Sequence, residues 1–252
     1  MLTLPFYVGK APASRPMSFQ LAHRKPLLAG RTARGGPWEV HQYFADTPIT
    51  EFFLRISESK PKPPDLKKDS ELAPAFRKFL NVRYLSIHPP FTQRPPVLQY
   101  IHAVFPDAQL LSDAQEIQVY QLPDVEMNAF DFRSGQEGIR LFLFQNWEAQ
   151  RGEGKRLYVC RKKIAKLLLP HTNPDRTLKL GMKLRSTNPL EAKLRTAGQT
   201  VNQLYLSHDF QIFEVTIPGQ MVTDGHQLLT IEFDPDSPYY NVEMERITAE
   251  IL

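Results

Sequence analysis

Cysteine is nearly absent from this 252-residue chain. With Cys160 standing alone, no intramolecular disulfide can form and no zinc site can be built on paired thiolates. No apolar run approaches the roughly 20 residues that a membrane-crossing helix needs, and no charged-then-apolar leader opens the sequence. The seven histidines are scattered, with no H-E-x-x-H and no pair four residues apart, so no metal and no cofactor are expected. Charge of one sign is also scarce. Lys plus Arg number 31 against 27 Asp plus Glu, spread along the chain with no nucleic-acid-reading motif beside them, so nucleic acid is not an expected partner.

What is present is strand pattern. The stretch Leu204 to Phe233, LYLSHDFQIFEVTIPGQMVTDGHQLLTIEF, alternates most clearly. Phe213, Val215 and Ile217 share one face and Ile212, Glu214 and Thr216 the other. Pro218 and Gly219 stop that run, Asp224-Gly225 offers a positive-φ turn, and Leu229, Ile231 and Phe233 begin a second inward face. Two paired strands are expected here. Thr177 to Arg185 is a further one-side-buried strand, with Leu178, Leu180, Met182 and Leu184 set against Lys179, Lys183 and Arg185. More strands are expected at Ile139 to Phe144, Leu157 to Cys160, Ala192 to Thr196, Gln203 to Leu206 and Arg246 to Leu252.

The first half reads differently. Leu2 to Phe6 is a strand candidate and Arg15 to His23 a helix. Thr47-Pro48 suits the start of a helix over Ile49 to Ile56, with threonine capping and proline at the first position. After the polar SESKPKPPDLKKD loop, Ser70 is placed as the cap of a helix through Phe79. A buried strand at Asn81 to Ile87, a helix at Pro96 to Val104 and a strand at Glu116 to Leu122 complete a crossover unit. The expected fold class is therefore α+β overall: a small α/β domain over 1–125, then an antiparallel β-sandwich of jelly-roll, galactose-binding-like type over 130–252. Met1 lies directly against LTLPF, which reads as a strand already under way, so the chain is expected to be a domain cut from a longer protein or an incomplete reading frame.

Several segments, in order, carry a resemblance: LTLPF, then His23, Lys25, Pro26, Gly30 and Arg34, then VRYLSIH, a Trp at 147, LKLGMKLR, and LYLSHDFQIFEVTIP with DGHQLLTIEF. Together they resemble the soluble region that follows the membrane helices of bacterial GT-C-type glycosyltransferases, the mannosyl- and aminoarabinose-transferring enzymes. The resemblance spans almost the whole chain. It implies an extracytoplasmic location on a bacterial membrane, attachment through a transmembrane portion that this sequence lacks, and a saccharide or lipid-linked sugar as partner. The catalytic carboxylates of such enzymes would lie in that missing portion. Asn146 stands where a glycine often precedes the tryptophan.

No catalytic residue is expected. Ser207-His208-Asp209 has triad residue types, but contiguous strand positions point to alternate faces and cannot form a relay. Asp234 and Asp236 could serve calcium, or simply make a polar turn. The candidate ligand-binding residues are His23, Lys25, Arg31 and Arg34, in a glycine-containing loop where guanidinium forks and backbone amides can hold an anion, and the aromatics Trp147, Tyr239 and Tyr240. Trp38 is a further aromatic of this kind. The plainer reading is a loop packed against the sheet, with Arg34 bound to a backbone carbonyl or an internal acid, and core packing for Trp147. Three readings stand: a non-catalytic extracytoplasmic region assisting acceptor or glycan binding, a free-standing carbohydrate-binding module, and a hydrolase whose site the sequence hides.

Overall fold

The computed structural model describes residues 2–4, 38–57, 59, 62–114, 117–152, 155–224, 227–234 and 240–252. The chain divides into two compact units, Met1–Glu126 and Met127–Leu252.

The first unit holds a four-stranded sheet of order β1-β2-β4-β3, built from β1 (Leu2–Leu4), β2 (Tyr84–Ile87), β3 (Gln109–Ala114) and β4 (Ile117–Gln121). Its α-helices among the described residues are α1 (Trp38–Asp46), α2 (Thr50–Ser57), α3 (Leu66–Phe79) and α4 (Pro95–Val104). The expected crossover is corrected here. Strand β2 runs parallel to β1 but antiparallel to β4, because the unanticipated β3 turns the chain back before β4. Helix α2 also starts later than the Thr-Pro signal suggests. Ile49 takes φ 67, and the Thr47 hydroxyl donates to the Tyr43 carbonyl at 2.7 Å instead of capping α2. The cap of α3 is Asp65, which accepts from Lys68 N at 3.2 Å, and Ser70 lies inside the helix. Leu72, Phe76 and Phe79 are buried at helical spacing, and Phe52 stacks on Tyr100 with ring centroids 3.7 Å apart.

The second unit is a β-sandwich. One sheet has the order β13-β10-β15-β8-β7, with β5 also on β15; the other has the order β12-β11-β14-β9-β6. These strands are β5 (Ala129–Arg133), β6 (Leu143–Gln145), β7 (Glu148–Gly152), β8 (Lys155–Cys160), β9 (Ile164–Leu168), β10 (Thr177–Ser186), β11 (Leu190–Thr196), β12 (Gln199–Leu206), β13 (Gln211–Pro218), β14 (Leu228–Phe233) and β15 (Val242–Ile251). Their pairing is nested: β8 with β15, β9 with β14, β10 with β13, and β11 with β12, all antiparallel. A long hairpin rolled so that its successive pairs fall alternately in two sheets has this order, which makes the unit a jelly roll.

Period-two alternation builds the core. Leu178, Leu180, Met182 and Leu184 of β10 are fully buried, as are Leu194 of β11 and Leu229, Ile231 and Phe233 of β14. The strands around Phe213 and Leu229 are not paired with each other, as their sequence had suggested. Strand β13 pairs with β10 in one sheet and β14 with β11 and β9 in the other. Helix α5 (Gly219–Asp224) separates them in the chain where a tight turn was expected. The run Ile139 to Phe144 is likewise only part strand, since a 3₁₀ turn over Glu137–Leu141 precedes β6.

Candidate functional site

The two outer faces of the sandwich use their charges differently. On the six-stranded sheet they are matched across strands: Lys179 with Glu214 at 3.1 Å, Lys183 with Glu245 at 2.8 Å, Arg185 with Glu243 at 2.7 Å and Arg246 with Asp131 at 2.5 Å. Most of the charge on that face is thereby paired within the sheet. The five-stranded sheet instead carries an open groove of about 700 Å³ across β12, β11 and β14.

Alternation explains its lining. On β11 the residues Leu190, Ala192, Leu194 and Thr196 point inward, so Glu191, Lys193 and Arg195 point out. On β12 the buried Leu204 and Leu206 bracket Tyr205, a residue 59% exposed. Register sets the neighbours. Glu191 lies directly opposite Tyr205, and Lys193 lies between Gln203 on one side and Glu232 on the other. The carboxylate of Glu232 turns diagonally to Arg195, 3.4 Å away, and Arg195 is held further by donating to the Gly198 carbonyl at 3.0 Å. Among the described residues, no hydrogen bond or ion pair engages the side chains of Tyr205, Glu191, Lys193 or Gln203. The far end is fixed through the backbone: Phe233 N donates to the Lys163 carbonyl at 2.9 Å, and Asp234 N donates to that of Glu191 at 3.0 Å.

An exposed aromatic ring beside unengaged donors and acceptors is what a polyhydroxylated ring requires. The aromatic face covers apolar C–H groups while amide, ammonium and carboxylate groups meet hydroxyls.

The candidate ligand-binding residues that the structure describes, Trp147 and Tyr240, lie outside the groove. His23, Lys25, Arg31, Arg34 and Tyr239 fall outside the described residues, as do Asp236 and the segment expected to be a helix at Arg15 to His23. Trp147 is half-buried between β6 and β7, and its indole Nε1 is buried with no partner among the described residues. The preceding Asn146 takes φ 65, a conformation open to asparagine as well as to glycine, and its Nδ2 donates to the Ile164 carbonyl at 2.6 Å. The half-buried Tyr240 packs its ring 6.0 Å from that of Phe233 and donates its hydroxyl to the Asp234 carbonyl at 2.9 Å, behind one end of the groove. Neither Trp147 nor Tyr240 lines the groove. Ser207, His208 and Asp209 form part of the turn from β12 to β13, and no hydrogen bond links their side chains among the described residues. Among those residues no group of three His, Cys, Asp or Glu is placed to hold a metal, and no helix is long and apolar enough to cross a membrane.

Tyr205 was missed although its signal is visible: a large aromatic between two inward leucines on a strand must face out. Cys160 is not a reactive thiol, because burial pushes its pKa up to about 11.

No protein family's sequence profile matches the chain, and no curated protein matches it. Solved structures do align with it. The C-terminal CBM6 of LamC, a marine laminarinase from Zobellia galactanivorans, aligns at 8% identity and TM-score 0.34 over 49% of this chain and 99% of that one. CsCBM6-3 from Clostridium stercorarium, in complex with cellobiose, aligns at 10% identity and TM-score 0.31 over 47% and 90%. The Tobacco streak virus coat protein aligns at 8% identity and TM-score 0.30 over 51% and 88%. Scores this low leave the jelly-roll assignment resting on the strand order alone.

Proposed function

We propose that the C-terminal unit is a non-catalytic saccharide-binding module and that the groove on its five-stranded sheet is the binding surface. The single observation that carries this is Tyr205: a largely exposed ring on a sheet face, flanked by Glu191, Gln203 and Lys193, whose side chains have no partner among the described residues. Water satisfies these exposed groups in the free protein, so the apolar ring face and the donors and acceptors around it are all available to a ligand that offers both C–H groups and hydroxyls. On the opposite face of the same unit most charges are paired across strands instead. Affinity electrophoresis through gels holding β-glucan, xylan, mannan, pectin or alginate tests the reading. Retardation by at least one polysaccharide, lost in Tyr205→Ala, is the expected result; no retardation by any of them goes against it.

Attachment of this module to a GT-C-type membrane glycosyltransferase, on the extracytoplasmic side, is a finer part of the proposal. It is supported only by the order of sequence segments. In that setting the ligand would be an acceptor glycan or a lipid-linked sugar. The coding sequence upstream of Met1 tests it, since a series of apolar segments each long enough to span a bilayer is required there.

A further inference from the structure

We infer that Glu191 is a specificity-determining residue of the groove, admitting sugars that offer a hydroxyl beside the ring stacked on Tyr205 and refusing sugars that carry a carboxylate or sulfate there. The inference rests on the saccharide-binding reading above. Glu191 and Tyr205 are direct cross-strand partners, so a sugar lying on the tyrosine face places its rim against the Glu191 side chain. A carboxylate only accepts hydrogen bonds, and a hydroxyl can donate to it. An anionic substituent has no proton to give and meets a like charge.

The rest of the groove does not reverse that preference. Its three cationic side chains, Lys163, Lys193 and Arg195, are balanced by three anionic ones, Glu191, Glu232 and Asp234, so no net field attracts a polyanion. Arg195, the cation best suited to a forked grip on an anion, is already held by Glu232 and the Gly198 carbonyl. Lys193 is left as a donor beside the Glu191 acceptor, two residues apart on one strand face, a pair suited to neighbouring hydroxyls that donate and accept in turn.

Cellohexaose, laminarihexaose and mannohexaose, each with its counterpart oxidised at C6 to the carboxylate, are titrated into the wild type, Glu191→Gln and Tyr205→Ala. The side chain of Glu191 is exposed and has no partner among the described residues, so Glu191→Gln should keep the fold, and a thermal melt checks this. The expected wild type binds at least one neutral chain about tenfold or more tighter than its oxidised form. Glu191→Gln narrows that ratio mainly by gaining affinity for the oxidised chain. Tyr205→Ala weakens both forms alike. A wild type that binds oxidised chains as well as neutral ones, or a ratio unmoved in Glu191→Gln, overturns the role of Glu191 while leaving the groove a saccharide site. Binding that survives unchanged in Tyr205→Ala overturns the site itself.

Discussion

Replacing Leu194 by alanine tests the register on which the groove depends. Leu194 is fully buried in β11, between the outward Lys193 and Arg195. Leucine-to-alanine changes in well-packed cores cost about 2–5 kcal/mol, and a site enclosed by two sheets has little room to collapse, so about 3 kcal/mol is a fair expectation. The unit Met127–Leu252 has 126 residues. At about 2.1 cal/mol/K of unfolding entropy per residue its total is about 0.26 kcal/mol/K, so the melting temperature should fall by roughly 11 °C. Lys193→Ala, one residue away and facing out, should change stability by no more than about 0.5 kcal/mol, or roughly 2 °C. Calorimetry on the two variants decides the matter. A strand shifted by one residue would exchange the two side chains between core and surface. Equal losses, or a larger loss in Lys193→Ala, would therefore refute both the register and the groove built on it.

Two further outcomes follow from single contacts. Gly219 opens α5 where an added Cβ would collide with the Asn173 carbonyl oxygen and lie 2.6 Å from that of Arg176, so Gly219→Ala should destabilise the sandwich by about 1–3 kcal/mol in denaturant titration. Cys160, whose pKa is raised to about 11 by burial, should resist a thiol-specific disulfide reagent in the native protein at pH 8 and react promptly in denaturant; rapid native labelling would contradict its burial.

Strand faces were legible in the sequence because their signal is local. Leu178, Leu180, Met182 and Leu184 declare an inward face through period two, and the structure buries all four. Partners were not legible, because pairing is decided by distant residues. Strands β13 and β14 are separated only by a short segment and invite a hairpin, yet β13 matches β10 over eight residues from Thr177 to Leu184. The intervening GQMVTD forms a short helix that Pro218 and Gly219 make resemble a turn. Strand β3 escaped notice because its pairing with β4 shifts register between Leu110 and Ser112, and the adjacent exposed leucines at 110 and 111 break the alternation. The groove shows both limits together. Tyr205 as an outward aromatic could be read from its buried neighbours, but Glu191 and Lys193 become its companions only when β11 folds back on β12.

The most direct measurement is a crystal structure of the protein with the glycan that the electrophoresis selects. A sugar ring is expected over Tyr205, with hydroxyls within about 3.2 Å of the side chains of Glu191 or Lys193. A glycan bound elsewhere, with the face of Tyr205 bare, would contradict the account.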